Sequence, residues 1–136
     1  MRIVSLNAWG GALYDDLAAW LPGVDPDVLC VQEALRTPDL RGWTRFDDGD
    51  HVLPQRADLV ADLAELLPAH EVTFVVSDSG PVTDADGHEH RQDFGVATLV
   101  RDTLPVVAHR TTFVHGQYVD HAAWPTGDRP RAAHAV

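Results

Sequence analysis

Two short apolar runs bracket one amphipathic stretch between the N-terminus and Glu33, and that order leaves the chain little freedom. Arg2 to Asn7 is too short for a helix and rich enough in branched residues for a buried strand. Ala8-Trp9-Gly10-Gly11 breaks it. Leu13, Leu17, Trp20 and Leu21 then recur at helical spacing, one stripe that places Trp20 in the core, and Pro22-Gly23 stops that helix. After the turn Asp25-Pro26-Asp27, Val28-Leu29-Cys30-Val31 is again a fully apolar strand, ending at Gln32-Glu33. Strand, helix, strand at this spacing implies parallel strands and a right-handed crossover. The carboxyl ends of such strands share one sheet edge, so Asn7 and Glu33 should emerge close together, where open α/β sheets usually bind ligands.

The rest of the chain is less regular. Thr37 to Pro54, with its Asp47-Asp48-Gly49-Asp50 cluster, reads as a long loop, and Pro54 suits a first helical position. Leu59, Val60, Leu63, Leu66 and Leu67 form the buried face of a second helix, which Pro68 ends. Glu71 to Ser77 is a strand, and Asp78 to Asp93 is turn-rich and hydrophilic. Phe94 to Arg101 and Leu104 to Val114 read as a strand pair, Asp120 to Arg129 as a loop, and Arg131 to Val136 as the start of another strand.

Composition excludes several function classes. The formal charge is −11, and protonating all eight histidines would still leave the chain negative. That argues against a sequence-independent grip on nucleic acid, which needs several cations per site, and against an anionic membrane surface. One cysteine excludes an internal disulfide framework and a cysteine-based zinc site; Cys30 reads as a small buried hydrophobe. There is no apolar leader and no run of about 18 apolar residues, so a soluble, cytoplasmic protein without a transmembrane segment is expected. A chain of 136 residues makes one domain.

Glu33 carries the most chemical information. A carboxylate directly after four apolar strand residues sits at the sheet rim, and magnesium needs only one or two such oxygens besides waters and a substrate phosphate. Asn7, on the neighbouring strand end, offers an amide to orient a phosphoryl oxygen or a metal-bound water. The alternative is an ordinary strand-end Glu paired with an Arg, with Asn7 turning the chain. His88 and His90, in Asp84-Ala85-Asp86-Gly87-His88-Glu89-His90, could pinch a metal, but no third ligand has a sensible spacing, so the segment reads as a solvated loop. The remaining histidines are dispersed and read as surface or loop residues. Trp43 and Trp124 read as loop residues that could flank a cleft.

Three strings occur in order: Ser5-Leu6-Asn7-Ala8-Trp9, Asp25-Pro26-Asp27-Val28-Leu29-Cys30-Val31-Gln32-Glu33, and Phe94-Gly95-Val96-Ala97-Thr98-Leu99-Val100-Arg101. Together they resemble the endonuclease/exonuclease/phosphatase superfamily, the fold shared by DNase I and exonuclease III. The resemblance implies a phosphoester hydrolase with Mg2+ (or Mn2+), in which Glu33 is a metal ligand and Asn7 helps hold the metal or phosphate. It places Gly95 where the chain passes close to the site and substrate. It also implies a four-layer α/β sandwich, of which this chain matches the N-terminal half: a mixed sheet with helices on its outer face. The Asn-x-His-Leu, Gly-Asp-x-Asn and Ser-Asp-His motifs of the family's second half are absent. Gly127-Asp128 runs into Arg129-Pro130 instead. The expectation is therefore a truncated domain, inactive alone. The second reading is a non-catalytic α/β half-domain that dimerises or binds through an exposed sheet face. The substrate, whether small molecule, lipid or nucleic acid, is unresolved at this level.

Overall fold

The computed structural model describes residues 1–136. Its first strand, β1 (Ile3–Asn7), leads through a tight turn at Trp9–Gly11 into helix α1 (Tyr14–Val24). Strand β2 (Val28–Arg36) returns parallel to β1, with Asn7 opposite Gln32. The β3–β4 hairpin (Trp43–Asp47, Val52–Arg56) and helix α2 (Leu59–Leu66) follow. Two long strands, β5 (His70–Thr83) and β6 (Glu89–Arg101), form the middle of the sheet. Strand β7 (Arg110–His115), the short β8 (Val119–Asp120) and β9 (Arg131–Ala135) complete the chain. The large mixed sheet has the order β1-β2-β6-β5-β3-β4, with β8 added beside β5, while β7 and β9 form a separate ribbon.

The core lies between one face of this sheet and the two helices. Leu29, Val31, Ala34, Leu35, Ala97 and Leu99 from the sheet meet Leu21, Leu59, Val60 and Leu63 from the helices. Alternate residues of the strands point to opposite faces, and so Cys30 and Thr98 lie on the other side. There the β9 residues Ala132, Ala133 and His134 cover part of the sheet, and His134 Nδ1 lies 2.9 Å from Thr98 Oγ1. Burial, and secondarily His109, holds the His134 ring below its ordinary pKa. Cys30 is half-buried against this ribbon and unpaired.

Several sequence expectations are corrected. Thr37 to Pro54 is largely a hairpin: Thr44 and Phe46 are buried while Trp43, Arg45 and Asp47 are exposed. The charged residues between them disguise that alternation. Pro54 opens no helix; it sits in the edge strand β4, where a missing N–H is tolerated. Asp78 to Asp93 is no loop either, because β5 and β6 run on as a hairpin whose turn is confined to Asp84–His88. Strand β2 continues past Glu33 to Arg36. Leu104 to Arg110 is mostly irregular, with β7 beginning only at Arg110. Helix α1 runs through Pro22 and Gly23 and closes on Asp25 in a left-handed conformation. Its inward stripe is Tyr14, Leu17 and Leu21, and Trp20 lies outside the core with half its surface exposed.

Helix α2 has a well-made start. Asp58 Oδ1 accepts from the Ala61 backbone N–H at 2.9 Å, satisfying one of the first-turn donors that a helix leaves unpaired. Asp58→Ala is expected to cost about 1 kcal/mol in urea denaturation, the usual worth of such a cap. An unchanged midpoint would show that water replaces it.

Candidate functional site

The carboxyl ends of β1 and β2 bring Asn7 and Glu33 into direct contact. Asn7 Nδ2 donates to Glu33 Oε1 at 2.9 Å, and Asn7 Oδ1 accepts from the Trp9 backbone N–H at 2.9 Å. An ionised carboxylate only accepts and a backbone N–H only donates, so this pairing fixes the orientation of the amide. Asn7 thus presents its NH2 group beside Glu33.

Glu33 owes its position to a break in the ladder. Gln32 pairs with Val96 and Ala34 with Gly95, leaving Glu33 as an extra residue, with φ +55°. Strict alternation would send residue 33 to the face that buries Leu29 and Val31. The bulge turns the carboxylate away from that core, at the cost of a left-handed backbone that side chains rarely adopt. A second bulge faces it across β6. Val76 pairs with Gly95 and Asp78 with Phe94, leaving Ser77 as the extra residue. Both interruptions therefore fall at the level of Gly95.

Gly95 lines the same cleft, but its lack of a side chain is required by the sheet. A Cβ there would lie 1.9 Å from Val75 O and 3.1 Å from Val76 Cα. The cleft holds about 450 Å3 and is bordered by Asn7, Glu33, Phe94, Arg129 and Arg131. A second hollow of about 290 Å3 adjoins it through Glu33, Phe94 and Arg129, with Asp48 and His51 on its far wall.

The donor set suits a hard divalent cation. Glu33 forms no ion pair with any Arg or His, its Oε2 has no hydrogen-bond partner, and Asn7 steadies Oε1. One free carboxylate oxygen at an open cleft leaves room for the waters and phosphate oxygens that magnesium retains.

With this geometry in view, the comparison with known families is decisive. A model of the endonuclease/exonuclease/phosphatase family matches residues 4–134, nearly the whole chain. The chain belongs to this family. No curated relative and no solved structure matches it. The mixed sheet with helices on one face is the α/β, DNase I-like architecture of the endonuclease/exonuclease/phosphatase family. Membership makes the chain one of a phosphoesterase-type superfamily. No helix is long and apolar enough to cross a membrane.

Arg129, Asp78 and His121 were not singled out by sequence reading. Asp78 is fully buried and accepts from Ser77 Oγ at 2.8 Å and Arg129 Nε at 2.9 Å, with His121 Nε2 at 3.0 Å. His121, read as a surface or loop residue, lies in the irregular segment after β8 with its ring largely buried. Trp124 is buried rather than flanking a cleft: its Nε1–H donates to Pro81 O at 2.7 Å, and its ring lies over Gly80. Asp78 opens the stretch to Asp93 that reads as turn-rich, and Arg129 stands out in the sequence only as the residue after Gly127-Asp128.

The Asp84 cluster lies elsewhere, at the β5–β6 turn. Ligand atoms of Asp84, Asp86 and His88 lie within 4.8 Å of one another. Asp84 Oδ1 already accepts the N–H groups of Asp86 and His88, and Oδ2 pairs with His90. The His90 ring, then the His88 N–H, hold the Asp84 carboxyl down at about 2. These contacts are those of a hairpin turn.

Proposed function

We propose that this chain supplies the metal- and phosphate-holding part of a divalent-metal-dependent phosphoester hydrolase of the cytoplasm. The observation that carries the reading is the Asn7–Glu33 pair, hydrogen bonded at 2.9 Å at the mouth of the cleft. Glu33 Oε2 would hold Mg2+ or Mn2+. When bound, such an ion stabilises negative charge on a phosphoryl oxygen. Asn7 keeps the Glu33 carboxylate oriented through one N–H and has a second N–H to give to a phosphoryl oxygen. The bulge at Glu33 fixes the carboxylate by backbone geometry instead of by a counter-ion, so no Arg must be displaced when a cation arrives.

The charge of −11 favours a small or lipid phosphoester over duplex DNA, whose backbone such a surface repels. Self-association is a second reading, favoured by Ile3, which is 60% exposed on the sheet's edge strand. Concentration-dependent sedimentation decides that point.

The test of the leading reading is Mn2+ binding followed by electron paramagnetic resonance. Glu33→Gln should weaken binding at least about tenfold, since it removes the ligand charge while keeping its shape. Asp84→Asn serves as the control for the exposed turn and should leave the affinity within about twofold. Equal Mn2+ affinity in wild type and Glu33→Gln would overturn the metal assignment.

A further inference from the structure

Arg129 is built into the cleft in an unusual way. Its guanidinium lies 4.0 Å from the Phe94 ring centre and 4.4 Å from that of Trp124, so aromatic surfaces hold the group. Of its five N–H donors only Nε–H is used, toward Asp78. Nη2 is shielded from water and has no acceptor. Asp78 Oδ2, the sole carboxylate oxygen on Arg129, is shared with His121.

Leaving a buried, charged donor unpaired costs stability. The surroundings nevertheless fix Arg129 in place. Trp124 is anchored to Pro81 O, the His121 backbone N–H donates to Ser79 O at 2.8 Å, and β8 pairs with β5. These contacts pin the segment leading to Arg129 against the same strand that carries Asp78. Arg129 borders both adjoining hollows, and Glu33 and Phe94 are the other residues common to them.

From these features we infer that Arg129 is the oxyanion-docking residue of the cleft, taking the non-bridging oxygens of a substrate phosphoryl group beside Asn7 and Glu33. The inference rests on the phosphoester reading and deepens it. A guanidinium fixed at Nε, with Nη2 enclosed, keeps the two Nη1 N–H groups for ligand oxygens. It also supplies the local positive charge that an otherwise acidic chain needs to admit a phosphate.

The probe is inorganic phosphate, titrated at constant ionic strength without divalent metal into the whole chain. The NMR cross-peak of Arg129 Nε–H should shift saturably in the wild type. Calorimetry should show Arg129→Lys, which keeps the ion pair with Asp78 but has no second nitrogen to turn toward a ligand, weakened at least about tenfold, and Arg129→Gln weakened further. An Arg129 cross-peak that stays still as phosphate saturates, or no phosphate binding, overturns the proposal. So does equal phosphate affinity in wild type and folded Arg129→Lys. The wild-type cross-peak decides the matter even where a variant fails to fold. Mn2+ affinity, measured alongside, separates the two readings. If Glu33→Gln leaves Mn2+ binding intact while phosphate still moves Arg129, the metal-dependent reading falls and the oxyanion site stands.

Discussion

Gly95→Ala is expected to destabilise the chain by about 3 kcal/mol or more, a large share of the stability of an ordinary domain. The added methyl would sit 1.9 Å from Val75 O and 2.9 Å from Val75 C. Both are backbone atoms of the neighbouring strand, so no side chain can rotate away to relieve the contact. Relief requires β5 and β6 to separate, and those two strands pair from His70 to Thr83. Circular dichroism with urea denaturation would measure the loss. A stability within about 0.5 kcal/mol of wild type would show that the sheet is slack at this level.

Asp78→Ala carries the second large effect, about 3–5 kcal/mol, the usual result of removing one member of a buried ion pair. Asp78 is fully buried and is the shared partner of Ser77, His121 and Arg129. Without it the Arg129 guanidinium would stay enclosed by Phe94 and Trp124 with no carboxylate near it. The same denaturation experiment reads the change. Trp124 fluorescence should also alter, because that ring loses the fixed cation beside it. A loss below about 1 kcal/mol would mean that the segment carrying Arg129 lifts off and lets water take over.

The opening third of the fold was legible because its physics is local. Branched apolar runs, a helical stripe and a turn fixed the parallel β1–β2 pair, and the pair fixed the meeting of Asn7 with Glu33. Trp20 was misplaced because the stripe was started one residue early, at Leu13, which precedes the helix and is exposed. The β3–β4 hairpin and the inner halves of β5 and β6 were hidden for a different reason. Most of their buried residues are polar: Gln92 is fully buried, and its Nε2 donates to Thr37 Oγ1 and Ala57 O, each at 3.2 Å. Ser79 is buried and bonds to Asp93 and Tyr118. Such groups satisfy one another across long sequence separations, which no window of neighbouring residues can reveal. Arg129 was illegible for the same reason, since each of its partners lies on a distant segment or is reached only through the folded chain.

The paired bulges around Gly95 also set rules for how this sequence can change its length. Deleting Ser77 alone would re-zip β5 onto β6 without a gap and leave Asp78 to Thr83 on their present partners, Phe94 to Glu89, and so on their present faces. Val82 would stay opposite His90, and only the local kink of the bulge would be lost. Deleting Glu33 would likewise keep Ala34 on Gly95 and Leu35 on Phe94, while removing the carboxylate from the cleft. Residues 33 and 77 are the places where these strands can lose one residue and keep their register, whereas a deletion at a paired position turns over everything beyond it. The site is thus counted into the chain as well as spelled in it.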